Sequence, residues 1–258
     1  MSRIKELYAY REMIISLVRK DLRGRYKASA LGFLWTFINP LLQLIVYTIV
    51  FSVIMRAGII DFYMFLFVAL VPWIFFSSSL TSGATTIIIN ADMVKKIYFP
   101  RIVLPISYVT SCFVNMLFCF IVVFVVIAVT GFGVNLLALL YLPLIMIIEY
   151  ILALGITFIT SACTVYVRDL EHILSIVSMV WMYLSPVMYP SSFVPEKYQA
   201  LFSLNPMMPI ITAYRDILYY KRIPNIQILL SSVTIGIVFM VFGYMIFEKL
   251  QKGFAEEM

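Results

Sequence analysis

Six long apolar segments constrain this chain more than any other feature. A helix that crosses a membrane needs about 20 mostly apolar residues, and each segment is close to that length or longer. A membrane strand would need about ten residues of alternating polarity, whereas residues 41–55 read LLQLIVYTIVFSVIM without alternation. The segments predict an all-α integral membrane protein with six transmembrane helices. The predicted spans are 33–55, 62–89, 102–130, 136–167, 173–189 and 226–247.

The composition agrees with a membrane protein. The 258 residues are 63% hydrophobic and 12% charged, against about 25% charged in ordinary soluble domains. We expect residues 1–258 to form a single transmembrane domain. About thirty mixed and charged residues precede the first apolar segment, and no small-residue cleavage site follows a short apolar run, so we do not expect a signal peptide.

The lysines and arginines predict the orientation, because short basic flanks are retained in the cytoplasm. Fourteen of the nineteen lie in the two tails or in the loops on the same side as the tails. We therefore expect both termini in the cytoplasm. The net charge of +6 is explained by this topology and by attraction to anionic lipid, and we expect no nucleic-acid partner.

Three segments outside the spans carry their own patterns. Residues 1–30 alternate apolar and basic side chains at helical spacing, which predicts a helix lying in the cytoplasmic membrane interface; an amphipathic tail without a specific role is the alternative. Residues 190–225 are rich in proline and too apolar to lie in water, so short external helices that re-enter the outer leaflet are expected. Residues 90–104, NADMVKKIYFPRIVL, form a basic loop between the second and third spans.

That basic loop is predicted to contain a short rigid helix. Asp92 can serve as its N-cap, Met93, Val94 and Ile97 form an apolar side, and Pro100 ends it. Such a helix could lie in a groove of a partner protein; a charged turn that only keeps the spans oriented is the alternative. The residues assigned to partner coupling are Asp92, Lys95, Lys96, Tyr98 and Arg101, with Arg168 and Asp169 of the second cytoplasmic turn.

Glu149 is the only acidic residue deep inside a predicted span. An ionisable group at that depth is a functional hypothesis by default. Two interpretations remain open: a protonated structural glutamate, or a group that lines a transport path.

Several nucleotide and metal motifs are missing. The sequence has no G-x-x-x-x-G-K-[ST] phosphate loop and no dinucleotide fingerprint, so no nucleotide site can be assigned. Its one histidine, His172, has no spaced metal-ligand set around it, and we expect no metal or cofactor in this chain. The three cysteines lie within predicted spans, where packing is the default interpretation.

Four motifs resemble one family of transporters. They are the run RKDLRGRYKASALGFLWTFINPLLQLIVYTIVF, then FPRIVLP, then VRDL before the fifth span, and LNPMMPIITAYRDILY before the sixth. In this order they resemble type-2 ABC exporter permeases of the branch that exports polysaccharides, O-antigens and teichoic acids. The resemblance covers nearly the whole chain.

The resemblance implies partners and a location. It implies a homodimer in a bacterial cytoplasmic (inner) membrane, paired with two separate cytoplasmic ATPase subunits that bind ATP and Mg. It also implies a glycan linked to a polyprenyl pyrophosphate lipid as the substrate. The implied roles are partner coupling for the basic loop and gating for residues 190–225.

Candidate substrate-binding residues follow from the implied glycolipid substrate. Arginine's forked donors suit a lipid pyrophosphate, which selects Arg23, Arg25, Tyr26 and Lys27; topology alone is the alternative. Sugar rings stack on aromatic side chains, although most aromatics here are expected to face lipid. The residues assigned to the substrate path are Tyr47, Phe51, Trp73, Glu149, Tyr183 and Tyr189.

Two other functions remain as alternatives. One is an ABC permease for small amphiphiles or drugs, which would share the spans and the missing nucleotide site. The other is an integral membrane enzyme acting on lipid-linked sugars, with Glu149, Asp169 or Asp216 as the catalytic acid.

Overall fold

The computed structural model describes residues 3–25, 31–56 and 58–257, and the regular structure in those ranges is helical. This confirms the all-α prediction. Fourteen α-helices occur in the described residues: α1 Arg3–Ala9, α2 Arg11–Gly24, α3 Trp35–Thr48, α4 Phe62–Thr81, α5 Thr86–Ile89, α6 Ala91–Lys96, α7 Val103–Thr130, α8 Leu136–Leu139, α9 Leu142–Tyr166, α10 Leu170–Leu184, α11 Glu196–Ser203, α12 Met207–Leu218, α13 Ile226–Leu250 and α14 Phe254–Glu257.

Within the described residues, five helical segments are long and apolar enough to cross a membrane. They are Gly32–Ile54, Phe62–Thr81, Val103–Thr130, Leu136–Tyr166 and Ile226–Gly253. The predicted span 173–189 corresponds to α10, which has 15 residues and is therefore about 22 Å long. A hydrocarbon core is about 30 Å thick, so the count of six spans stays a prediction.

The second span ends earlier than predicted, and Pro72 does not break it. Helix α4 continues through Pro72 to Thr81, because neighbouring helices can compensate the one backbone hydrogen bond that a proline removes. A turn at Gly83 separates α4 from α5, and a side chain at Gly83 would collide with the Ser79 carbonyl and with Thr157. Close packing against α9 therefore sets the end of this span.

Helices α9 and α13 cross with their backbones in contact. A Cβ atom on Gly155 would lie 2.5 Å from the Met240 nitrogen, and one on Gly243 would collide with the Gly155 carbonyl oxygen. Gly236 is less confined, since its Cβ would lie 3.5 Å from the Ile148 oxygen. Small residues permit this close approach, which stabilises helix pairs in lipid through van der Waals contact.

The short elements separate into two faces. One face, called here the N-terminal face, carries α2, α6 and the segment from Gln251 to Glu257; the last of these is joined to the loop after α6 through Arg101. The opposite face carries α8 and the end of α12, which are joined by a hydrogen bond from the Asn135 amide to the Lys221 carbonyl at 3.0 Å. Short helices were predicted within residues 190–225, and two occur there, α11 and α12; their external position stays a prediction.

Candidate functional site

A cavity of about 1120 Å³ lies on the N-terminal face between α2, the turn after α4 and the beginning of α7. It combines charged residues of α2 with uncharged polar residues of the other two elements. The lining side chains used below are Arg19, Lys20, Asp21, Arg23, Arg25, Ser82, Thr86, Asn90, Leu104, Ser107 and Tyr108.

Arg25 lines this cavity, but two of its three nitrogens already have partners. Its Nε bonds the Asp21 carboxylate at 2.9 Å, and its Nη2 lies 3.3 Å from the Ser111 hydroxyl and 3.1 Å from the Cys112 sulfur. Burial lowers the pKa of Arg25, but Cys112 and Asp21 raise it by more, so the pKa lies above its ordinary value. The guanidinium therefore anchors the end of α2 to α7 as a permanent charge.

Arg19, Lys20 and Arg23 form the charged wall of the cavity. All three are exposed, and within the described ranges none of them makes an ion pair. Unpaired cations suit an anionic ligand such as a lipid headgroup. Of the predicted pyrophosphate residues, Arg23 and Arg25 thus border one cavity, while Tyr26 and Lys27 lie outside the described residues.

Helix α6 in the basic loop differs from the prediction in three details. It begins at Ala91 with Asn90 at the N-cap position, so Asp92 is not the cap; it lies in the first turn and pairs with Lys96 at 3.3 Å. The helix ends at Lys96 before Pro100 because Ile97 is extended. Val94 packs in the core of this chain and is unavailable to a partner.

The surface that α6 leaves open is basic and aromatic. Lys95, Lys96 and Ile97 are exposed, and Tyr98 is 91% exposed. Such a surface combines charge with apolar area, as protein interfaces do. Arg168 and Asp169 are exposed in the turn between α9 and α10.

The residues after α13 connect the two loops of the N-terminal face. Arg101 donates a hydrogen bond to the Gln251 carbonyl and lies 5.8 Å from the Phe254 ring centre. Tyr166, at the end of α9, donates to the Leu250 carbonyl at 2.7 Å, and Phe254 is fully buried against it. Arg101 therefore has an intramolecular role in addition to any partner contact.

The residues predicted for the substrate path separate into two groups. Trp73 and Glu149 are buried inside the chain, and Phe51 packs on Phe62 at 5.9 Å between ring centres. Tyr183 is exposed, and its carbonyl accepts a hydrogen bond from the Tyr189 hydroxyl at 2.7 Å. The last group, which includes the half-buried Tyr47, borders open surface of α3 and α10.

Helix α12 contains buried polar residues whose contacts the sequence did not reveal. Tyr214 donates to the Glu149 carboxylate at 2.7 Å, which joins α12 to α9. Arg215 is 4% exposed and donates to the carbonyls of Val187 at 2.7 Å and Tyr189 at 3.2 Å. An arginine within an apolar helix was the available signal, but the sequence interpretation used Arg215 only for topology.

Asn205 performs a similar role at the other end of α12. Its side-chain oxygen accepts hydrogen bonds from the Trp181 indole at 2.9 Å and from the Met207 amide at 3.0 Å. Its side-chain nitrogen donates to the Leu184 carbonyl at 3.1 Å and the Ser185 hydroxyl at 2.8 Å. The end of α10 and the beginning of α12 are thus joined through one amide.

The three carboxylates considered for an enzyme lie apart. Glu149 bonds Tyr214 within the chain, Asp216 pairs with Arg222 at 2.7 Å, and Asp169 is exposed on the N-terminal face. Across the described ranges, no group of three His, Cys, Asp or Glu residues is arranged to hold a metal ion. The described geometry therefore offers no paired acid and base for hydrolysis.

The long apolar helices define an integral membrane protein. The family model described as "ABC-2 type transporter" matches residues 12–219. This chain therefore belongs to the ABC-2 type transporter family.

Individual relatives extend this result over nearly the full length. The chain is 37% identical to the O-antigen export system permease protein RfbA of Myxococcus xanthus, over 98% of each chain. It is 35% identical to the RfbA permease protein of Klebsiella pneumoniae, over 95% of this chain and 94% of that one. The polysialic acid transport protein KpsM of Escherichia coli is 23% identical over 78% of this chain and 79% of its own length.

Proposed function

We propose that this chain is the membrane subunit of an ATP-driven exporter that moves a polysaccharide linked to a polyprenyl pyrophosphate lipid out of the cytoplasm. The proposal places it in the bacterial cytoplasmic membrane with both termini inside, as the basic flanks favour. The proposed glycan is of the O-antigen, capsule or teichoic-acid type. The names of the similar permeases support the choice of a polysaccharide over a small amphiphile.

The cavity beside α2 is the observation that carries this proposal. Its charged wall of Arg19, Lys20 and Arg23 lies next to an amphipathic helix, where a lipid headgroup would reach it. Arginine pairs with phosphate oxygens through two parallel hydrogen bonds. A hydrogen bond to a charged group contributes about 1.5–3 kcal/mol, so two such contacts can hold a pyrophosphate at the membrane surface.

ATP hydrolysis belongs to a separate partner in this proposal. The sequence has no phosphate loop, and the exposed surface of Lys95, Lys96, Ile97 and Tyr98 suits a cleft with acidic rims. Two ATPase subunits would bind ATP and Mg and act on this loop, with Arg168 and Asp169 as a second contact. The loop can transmit motion because α6 is short and the Arg101 contacts fix its end.

A second copy of the chain completes the conduit. Helix α10 exposes most of its apolar side chains, α3 exposes Leu42, Ile45 and Val46, and Tyr47, Tyr183 and Tyr189 border that open surface. Two copies facing each other across α3 and α10 would enclose a path lined by these aromatics. Trp73 and Glu149 would then support the path from behind, and residues 190–225 would close its outer end.

Paired substitutions test the cavity against simple topology. The Arg19→Gln/Arg23→Gln variant should lower polysaccharide export about 10-fold or more in cells, with insertion and protein level unchanged. The Lys5→Gln/Arg11→Gln variant removes the same charge from α1 and α2 at residues that do not line the cavity, and it should export normally. Equal losses of export in both variants would mean that the arginines only orient the chain in the membrane, and this would contradict the proposal.

A further inference from the structure

We propose that the cavity also binds the first sugar of the lipid pyrophosphate, through a wall of uncharged polar side chains opposite its cations. This inference rests on the proposed function and specifies the substrate of the same cavity. The uncharged wall consists of Ser82, Thr86, Asn90 and Ser107, with the Tyr108 ring beside them.

The two walls come from different elements and differ in chemistry. The cations all belong to α2, which lies on the surface. The uncharged groups belong to the turn after α4, to the two ends of α5 and to the beginning of α7, with Thr86 and Ser107 buried in the protein. A ligand that fills the cavity therefore meets, on the α2 side, four cations that outnumber the carboxylates of Glu12 and Asp21, and it meets neutral polar atoms on the other side.

Three side chains of the uncharged wall, Thr86, Asn90 and Ser107, present hydrogen-bond acceptors. The Thr86 hydroxyl donates its hydrogen bond to the Gly83 carbonyl at 2.8 Å, and the Ser107 hydroxyl donates to the Leu104 carbonyl at 2.8 Å. The Asn90 side-chain nitrogen donates to the Thr86 carbonyl at 2.8 Å, which leaves its oxygen as an acceptor. A hydroxyl with its hydrogen engaged still has lone pairs that can accept.

Acceptors discriminate between the two parts of a glycolipid headgroup. Phosphate oxygens only accept hydrogen bonds at neutral pH, so the acceptor wall does not suit them. Sugar hydroxyls donate, and this wall satisfies them. A site built to hydrogen-bond a ligand hydroxyl also rejects an analogue that lacks it, because buried polar groups are then left without partners.

The size of the cavity supports a ligand larger than pyrophosphate. Pockets for drug-sized ligands measure about 300–1,000 Å³, and this cavity is slightly above that range at about 1120 Å³. Its apolar lining by Leu17 and Leu104 can contact the C–H faces of a sugar ring. A pyrophosphate together with one or two sugars suits this volume and this mixture of walls.

The test measures how well the site distinguishes two lipids. The chain is purified with its ATPase partner in lipid nanodiscs, and binding is measured for a polyprenyl pyrophosphate with and without one attached hexose. The intact complex should bind the sugar-bearing lipid about 10-fold more tightly. Thr86→Val/Ser107→Ala should bring that ratio close to one and leave the affinity for the bare lipid unchanged.

Control variants separate recognition from folding. Thr85→Val makes the same change one residue away, at a threonine that bonds the Ser82 carbonyl and does not line the cavity, and it should retain the ratio. Ser82→Ala alters an exposed side chain and should lower the ratio without affecting thermal stability. A ratio that is unchanged in Thr86→Val/Ser107→Ala and in Ser82→Ala would overturn the inference.

The remaining outcomes distinguish this inference from the proposed function. If the intact complex binds both lipids tightly and equally, the uncharged wall does not bind the sugar, while the proposed pyrophosphate site is retained. If phosphatidylglycerol competes fully with either lipid, the cavity binds ordinary phospholipid headgroups and both proposals fail. Arg23→Gln should weaken binding of both polyprenyl lipids and preserve their ratio.

Discussion

The first two spans are nearly equal in hydropathy, but the first lies at the surface of the chain and the second lies at its centre. Their most apolar stretches have mean hydropathies of 2.0 for Gly32–Ile54 and 1.9 for Phe62–Thr81. Yet 11% of the first stretch is buried within the chain, against 78% of the second. Hydropathy therefore determines that both segments enter the membrane, but not which of them becomes the centre of the protein.

Packing geometry explains the difference. Lipid tails are as apolar as leucine, so helices in a membrane associate through close contact and hydrogen bonds and not through hydrophobicity. Helix α4 packs its large side chains, such as Phe65 and Phe67, among α7, α9 and α12. The first span leaves Val53 and Ile54 exposed, which is the surface that our proposal gives to a second copy.

The largest expected effect comes from truncating one buried side chain of α4. Phe67→Ala should destabilise the protein by about 3–5 kcal/mol, because the removed ring leaves a cavity at a fully buried position. Val53→Ala, at a residue that is 66% exposed, should change the stability of the single chain by less than about 0.5 kcal/mol. Unfolding in detergent measures both variants. Similar losses in the free energy of unfolding would mean that burial within one chain does not indicate how much a side chain contributes to packing.

The next effect concerns the crossing of α9 and α13. Gly243→Ala should cost about 1–3 kcal/mol, because a Cβ there meets the Gly155 backbone, which cannot move aside cheaply. Gly236→Ala is the matched control on the same helix and should be close to neutral. Thermal unfolding of both variants measures the difference, and an equal cost would show that the crossing is looser than the structure indicates.

A smaller effect is expected at the exposed loop of the N-terminal face. Lys95→Glu/Lys96→Glu should leave stability unchanged and weaken ATPase association about 10-fold, or about 1.4 kcal/mol, since both side chains are exposed. Lys249→Glu/Lys252→Glu changes charge to the same extent at the end of α13. Affinity measured with the purified ATPase should fall only in the first variant; normal binding and export there would direct attention to Arg168 and Asp169.

The smallest expected effect comes from a hydrogen bond between the buried helix α4 and the exposed helix α10. The hydroxyls of Ser77 on α4 and Ser178 on α10 share a hydrogen bond of 2.7 Å, and such bonds in membranes contribute about 0.6 kcal/mol. Ser77→Ala should lower stability by about that amount. Ser175→Ala, whose hydroxyl bonds only its own helix, should have less effect, and the difference is measurable by chemical unfolding.

Local patterns predicted most element bounds. The third span was predicted at 102–130 and is Val103–Thr130, and the sixth was predicted to begin at 226 and begins at Ile226. One error occurred where a contact distant in sequence decides. The second span ends at Thr81 because Gly83 packs on Thr157, and no local pattern indicates that neighbour.

The candidate site was predictable in part. Basic residues before the first span indicated an anion site, and Arg23 does border a cavity. The sequence could not show that Arg25 forms hydrogen bonds with Ser111 and Cys112, which are 86 and 87 positions away. Nor could it separate Glu149, which α12 covers, from Tyr183, which is exposed, because spacing along one helix does not reveal which neighbour covers it.

The contact between Gly155 and Gly243 also has a consequence for the order of synthesis. Helix α9 leaves the ribosome well before α13, so during that interval its glycine surface faces lipid without its main partner. A chain that stops before α13 would retain four long apolar spans and could still enter the membrane. We expect such a product to be recognised and degraded, because no other described helix contacts the α9 backbone as closely.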